Sequence, residues 1–320
     1  MQHGVAEVNG ISMHYVDAGT GPAVILCHGW PELWFSWHRQ IPALVGAGYR
    51  VLVPDQRGYG QTDRPAEPSS YSQMHLVGDI VGLLQVTGEK SAVIVGHDFG
   101  AQVAWNAALM RPDLFTAVAA LSVPFRPRTA VRPTQALAQD AAGRFHYMQY
   151  VQQPGLAEEE FERNVRAALR RTYYMKSGGT PREHRWRPVG TQMTGMLEGT
   201  VDPNSLPAWL TEKEFDYFVG EFERTGFRGA FNWYRAYDQT WEATAPFAGA
   251  TIQQPALYIA GAEDPAMDIP GFTEALARMP ALLPGLESPV IIPDAGHWVQ
   301  LERADEVNTA LIAFLRTLKG

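Results

Sequence analysis

The sequence predicts a mostly parallel α/β sheet with helices on both faces and one long helical insertion. Three observations predict it. Short, apolar, β-branched runs alternate with amphipathic segments as far as Ser122, as they do in a buried parallel sheet. The alternation stops at Pro124, shows no strand pattern from Arg126 to about Pro246, and resumes at Ala256. Finally, Gly96-His97-Asp98-Phe99-Gly100 joins a strand to a helix through small, any, acid, any, small. Such glycines permit a sharp turn that lifts one side chain above the sheet.

The elements follow in order. His14 to Pro22 ends an early strand in a turn, and Ala23–Cys27 is a buried strand running into His28-Gly29-Trp30-Pro31. Trp34 to Ala47 is amphipathic and helical, and Tyr49 to Asp55 is the next strand. Ser72 to Val86 forms a helix with Leu76, Ile80, Leu83 and Leu84 on one stripe. Ala92–Val95 is a strand that stops at Gly96, the helix after it spans Ala101 to Met110, and Phe115–Ser122 is a strand. Within the insertion, Phe161, Val165, Ala168 and Leu169 share one helix face, while Glu158, Glu159, Glu162, Arg163 and Arg166 form a solvated one. Thr211 to Glu214 is a capping box opening a helix to about Arg224, and Ala230 to Trp241 is another helix. Strands Ala256–Ala260 and Pro289–Pro293 and a helix from Ala304 to Leu318 close the chain. The expected organisation is a core of residues 1–125 and 247–320 around an all-helical lid of residues 126–246.

At 320 residues and 46% apolar side chains, the chain can bury a large core as one domain with an inserted subdomain. A formal charge of −8 without a basic cluster argues against nucleic acid and membrane surfaces as partners. Cys27 is the single cysteine, so neither an internal disulfide nor a zinc set exists, and neither cofactor nor metal is expected. The amino terminus shows no charged-then-apolar leader, and no apolar run approaches about 18 residues, so a cytoplasmic enzyme is expected, as monomer or homodimer.

Gly96 to Gly100 has the layout of a nucleophile elbow with Asp98 at the position more often held by serine. A helix N-cap is the alternative for Asp98. Asp98, Asp264 and His297 each follow the carboxyl end of an expected strand, the rim where open α/β sheets hold their sites. Their order is nucleophile, acid, base. Glu263 rivals Asp264 as the acid, and Asp264 could instead cap a helix. The backbone N–H groups of Trp30 and Phe99 are the expected oxyanion donors. Pro31 is a candidate for a cis bond.

His28-Gly-Trp-Pro-Glu32, Asp55-Gln-Arg-Gly-Tyr-Gly60, Gly96 to Gly100 and Asp294-Ala-Gly-His-Trp298 resemble soluble epoxide hydrolases of the α/β-hydrolase superfamily, without an N-terminal phosphatase domain. The resemblance extends to the lid, where Phe145 to Gly155 and Gly229 to Arg235 are similar to the segments carrying the family's epoxide-polarising tyrosines. It implies that Tyr147 and Tyr234 are that pair, rather than Tyr150, Tyr173, Tyr174, Tyr217 or Tyr237. The implied chemistry attaches the epoxide carbon to Asp98 as an ester, which water activated by His297 and Asp264 then hydrolyses to a vicinal diol. Epoxide and water are the implied partners, and Trp34, Pro31 and Phe125 the candidate pocket residues.

Two alternatives remain at this level. A haloalkane or haloacid dehalogenase uses the same aspartate logic. However, Phe99 stands where a haloalkane dehalogenase normally carries a halide-binding tryptophan, Trp30 where asparagine is frequent, and no arginine follows Asp98 closely enough to hold a haloacid. A non-catalytic, small-molecule-binding hydrolase-fold protein is the other, although such relatives commonly lose a triad member.

Overall fold

A computed structural model describes residues 1–190 and 193–318; Thr191, Gln192, Lys319 and Gly320, which fall inside the expected lid and carboxyl-terminal spans, lie outside the described residues. The strands are β1 (Gln2–Val8), β2 (Ile11–Ala18), β3 (Ala23–Cys27), β4 (Arg50–Pro54), β5 (Ala92–His97), β6 (Phe115–Leu121), β7 (Phe145–His146), β8 (Val189–Gly190), β9 (Ala256–Gly261) and β10 (Val290–Ile292). Eight of them form one sheet in the order β1-β2-β4-β3-β5-β6-β9-β10. The pairs β1·β2 and β2·β4 are antiparallel, and every pair from β4 to β10 is parallel.

Central strand β5 is buried on both faces, which is why its sequence is a continuous apolar run rather than an alternating one. Ile94 packs into the apolar cluster on one face, and Val93 and Val95 into the cluster on the other. The carboxyl ends of β3, β5, β9 and β10 lie along one rim of the sheet, and the loops leaving them carry Trp30, Asp98, Asp264 and His297.

Several elements differ from expectation. The strand at Ala92 continues through Gly96 to His97, and its helix starts at Phe99 rather than Ala101, so the turn is confined to Asp98. The stretch from Trp34 to Ala47 divides into a 3₁₀ turn, Trp34–Trp37, and a helix, Gln40–Gly46. Pro42 explains the break, since its missing N–H is tolerated only in a first turn. The face shared by Phe161 and Leu169 spans two helices, Leu156–Glu162 and Val165–Lys176, and Asn164 caps the second by accepting from the Ala167 N–H at 3.0 Å. The stretch from Ala230 to Trp241 is likewise divided, into Arg228–Arg235 and Tyr237–Ala243. A helix over Phe272–Leu282, with Pro280 inside it, was not anticipated.

Among the described residues, the regular elements between β6 and β9 are helices joined by irregular segments, apart from the two-residue antiparallel pairing of β7 with β8, where no strand was expected. This insertion packs on the rim: Trp233 Nε1 donates to the Arg57 carbonyl at 2.9 Å, and Tyr173 donates its hydroxyl proton to the Pro31 carbonyl at 2.8 Å.

Glu158 corrects the expected solvated face. Its side chain is only 12% exposed and accepts from Arg235 Nη1 at 2.6 Å and Nη2 at 2.8 Å, while Arg235 Nε bonds the Val151 carbonyl. Glu159 and Arg163 of that face are exposed as expected. A buried fork-to-fork pair is costly to break because the surviving charge loses both partner and water. Glu158→Ala should therefore lower unfolding stability by about 3–5 kcal/mol, read as a fall in the urea midpoint at unchanged slope, whereas Glu159→Ala should leave it nearly unmoved.

Candidate active site

Asp98 adopts φ 50° and ψ −117°, a conformation that side-chain-bearing residues rarely hold. The surroundings impose it. A Cβ on Gly96 would meet the Gly100 carbonyl oxygen at 2.0 Å, and one on Gly100 would meet the Cys27 carbonyl oxygen at the same distance. Strand and helix therefore close together only because both positions lack a side chain, and Asp98 is pushed out between them. Its carboxylate makes no capping bond to the helix, which removes the N-cap alternative. Instead Oδ1 accepts the Trp30 N–H at 3.0 Å, and Oδ2 lies 3.2 Å from His297 Nε2. The Trp30–Pro31 bond is cis.

His297 Nδ1 lies 3.1 and 3.0 Å from the two oxygens of Asp264. Asp264 also caps, accepting the Ala266 N–H at 2.8 Å, so one carboxylate both caps this turn and contacts the imidazole. Glu263 turns away to an ion pair with Arg185 and a bond from the Gly179 N–H. Burial disfavours charge on all three site residues, and the mutual contacts overcome it. Hydrogen bonding and charge from His297 hold Asp98 well below the usual carboxylate range, and Asp264 is held low by the same ring. The imidazole of His297, against burial and the charge of Lys176, is lifted by Asp264 and Asp98 to about 9.

Above Asp98, a cavity of about 390 Å³ is lined by Asp98, His297, Tyr147, Tyr234, Tyr237 and Phe125 among others. Tyr147 and Tyr234 come from two lid helices, with ring centroids 5.9 Å apart and nearly perpendicular. Among the described residues neither hydroxyl makes a hydrogen bond within the protein. Tyr150, Tyr173, Tyr174 and Tyr217 are bonded to other protein groups away from the cavity, and Tyr237 to Gln102 on its wall. Burial raises the phenols of Tyr147 and Tyr234 well above their ordinary value, keeping them protonated.

Two pocket expectations are corrected. Trp34 is not on the cavity wall: its backbone N–H bonds Asp55 and its indole N–H bonds Tyr217 at 2.8 Å, on the far side of the rim. Pro31 is absent from the wall too, because its carbonyl is turned to Tyr173.

Residues 22–304 match the α/β hydrolase fold family. Epoxide hydrolase A of Mycobacterium tuberculosis is 45% identical, over 98% of this chain and 97% of its own length. Epoxide hydrolase 3 of Siraitia grosvenorii is 41% identical, over 98% of both chains. The solved structure of an epoxide hydrolase from an endophytic Streptomyces superposes with a TM-score of 0.95 at 43% identity, covering 99% of this chain and 96% of its own. The chain belongs to the epoxide hydrolases of the α/β-hydrolase superfamily.

Three buried groups of this epoxide hydrolase have no counterpart in the sequence reading. Glu32 accepts from the Gly29 N–H at 2.7 Å and lies 2.6 Å from His97 Nδ1, and His97 Nε2 lies 2.7 Å from the His297 carbonyl. Glu32 stands in a quoted motif and His97 beside the elbow, but only the fold shows that they join the two loops. The third, Lys176, reads in the sequence as one more cation on an amphipathic helix. It is 6% exposed and lines the cavity.

Because His297 is raised in the folded protein, its contribution to stability is complete below the ordinary value of 6.5 and is lost as pH rises through about 9. The unfolding free energies of wild type and His297→Gln, measured by urea titration, should differ most at the acid end of that window and converge toward its alkaline end. A constant difference across it would mean that the ring is neutral throughout.

Proposed function

We propose that the enzyme converts an epoxide to a vicinal diol through a covalent ester on Asp98. The observation that carries the reading is the convergence in one cavity of an ionised carboxylate and two phenols with free hydroxyls. Ring opening requires a nucleophile on carbon and a proton donor for the departing oxygen. Asp98 supplies the first, and Tyr147 and Tyr234, kept neutral by burial, supply the second. The resulting ester has its carbonyl carbon on the enzyme, so water can cleave it.

In this reading His297, oriented by Asp264, takes a proton from that water. The oxyanion forms at the oxygen already held by the Trp30 N–H, with the Phe99 N–H, first of its helix and free of an intrahelical acceptor, as second donor. Residues 1–125 and 247–320 then act as the catalytic core, and residues 126–246 as the lid that delivers the phenols. A dehalogenase would have no use for two free phenols and would want halide donors. Phe99, at the position beside the nucleophile, offers only an apolar ring, which packs edge-on against Tyr234 at 4.5 Å.

Wild type should turn over aryl and aliphatic epoxides and release no halide from a haloalkane or haloacetate. Tyr147→Phe or Tyr234→Phe should each slow ring opening by about tenfold or more, and the double variant by roughly 10²–10⁴, with the fold intact by circular dichroism. Asp98→Ala should abolish turnover. Halide release indifferent to both tyrosines would overturn the reading, and binding without turnover of either substrate class would favour a receptor.

A further inference from the structure

Resting on the Asp98 ester just described, we propose that Lys176 is a positioning residue for charge: its ammonium makes His297 a neutral base once Asp98 has been esterified, and so times the water-activating step. Lys176 occupies the last position of helix Val165–Lys176, at the lid's contact with the catalytic loop. Its Nζ lies 4.7, 5.5 and 5.7 Å from the ring centroids of Trp186, Trp30 and Trp298. Among the described residues it has neither a hydrogen bond nor a carboxylate within ion-pair distance. Three indole faces hold a cation by its charge while leaving that charge unneutralised. The Lys176 backbone is fixed to the histidine it acts on. Its carbonyl accepts the His297 N–H at 2.8 Å, and a Cβ on Gly296 would stand 2.4 Å from that oxygen.

The charges facing the His297 ring are Asp264 at Nδ1, Asp98 at Nε2 and Lys176 on the cavity wall. Behind it, the His97 ring lies 4.9 Å away and is paired with Glu32; Glu302 holds the Gly296 N–H. Burial lowers the Lys176 ammonium from its ordinary value, and the charges of Asp98, Asp264 and Glu32 oppose that shift. In the resting enzyme two carboxylates touch the ring and one cation opposes them, so the imidazolium wins. An imidazolium is no base. Esterification removes the charge of Asp98 and leaves Asp264 alone against Lys176 and burial.

The proton count closes around this exchange. As an Asp98 oxygen bonds the epoxide carbon, the carbon–oxygen bond of the ring breaks. The alkoxide takes a proton from the Tyr147/Tyr234 pair, and the phenol recovers it from His297. The enzyme then holds a hydroxy ester and a neutral imidazole. Water adds to the ester carbonyl and yields its proton to His297; the alkyl C–O electron pair leaves as the second hydroxyl, and carboxylate and imidazolium are restored.

Single-turnover mixing with an aryl epoxide, followed by tryptophan fluorescence and by mass analysis of the Asp98 peptide, separates ester formation from ester decay. Lys176→Met fills the same space without charge. It should form the ester within about threefold of the wild-type rate. Ester decay should have its pH midpoint raised by about one unit, with decay about tenfold slower below that midpoint. Lys176→Arg should keep the wild-type midpoint. An unshifted profile in Lys176→Met, with the Asp98 peptide labelled, overturns the role of Lys176 alone. An unlabelled Asp98 peptide in wild type overturns the ester and this inference together. If Lys176→Met does not fold, nitrogen-15 NMR of Asp98→Asn, whose neutral amide stands in for the ester, decides. The His297 midpoint should fall from about 9 to below 6.5, and a midpoint still near 9 overturns the proposal.

Discussion

The turn at Asp98 is the constraint on which the site depends. Holding a non-glycine residue at φ 50° costs on the order of 1–3 kcal/mol, and such strain persists only where the surroundings dictate it. Three glycines do so from different directions. Gly96 and Gly100 let strand and helix close beneath the aspartate, and Gly29 lets the neighbouring loop approach it, since a Cβ there would lie 2.4 Å from the Asp98 Cβ. That last approach brings the Trp30 N–H to Oδ1. The Asp98 carboxylate and the N–H that bonds it are consequently one packing solution, formed before any substrate arrives.

Burial acts on Asp98, Tyr147 and Tyr234 alike, yet it leaves the carboxylate charged and the phenols neutral. The difference lies in their partners. Asp98 faces a backbone N–H, the His297 ring and the charge of Lys176, all of which favour its anion. Among the described residues Tyr147 and Tyr234 have no donor to stabilise a phenolate, and they line the cavity beside an anion that repels one. One low-dielectric space therefore maintains an acid in its basic form and two weak acids in their acidic form, the combination that opening a strained ether requires.

The sheet and the rim residues were legible because they obey short-range rules. Strands buried on both faces show as unbroken apolar runs, and Asp98 and Asp264 closely follow two of them, while His297 comes after the short, half-exposed apolar edge strand β10. The lid was legible only as helix, and its breaks at Asn164 and Ala236 were read as continuous periodicity because a cap interrupts the backbone without interrupting the apolar stripe. β1 escaped notice as an edge strand with one buried residue, Val8, and an apolar residue, Val5, on its exposed face, so its sequence does not alternate cleanly. Charge was hardest to read. Glu158 and Lys176 look alike on paper, as charges on helices, and both are buried, one by a partner some eighty positions away and the other by three indoles. Trp34 erred the other way, because apolar character does not say which side of a rim a ring will take.

The contact between lid and core at the catalytic loop also determines where the enzyme can vary. Gly178 and Gly296 pass so closely that a Cβ on Gly296 would stand 2.3 Å from the Gly178 nitrogen, and both N–H groups converge on one oxygen of Glu302. With the Lys176 carbonyl holding the His297 N–H, this seam joins lid backbone to core backbone and leaves no side chain free to change. Movement of the lid there would displace His297 itself. Another part of the cavity wall is built differently, by Phe125, Arg126, Arg128, Leu137 and Asp140, side chains on the segment leading from the sheet into the lid. Substitutions on that wall change the room for a substituent without touching the seam. The seam is made of backbone contacts and that wall of side chains, so the wall can change while the seam is kept.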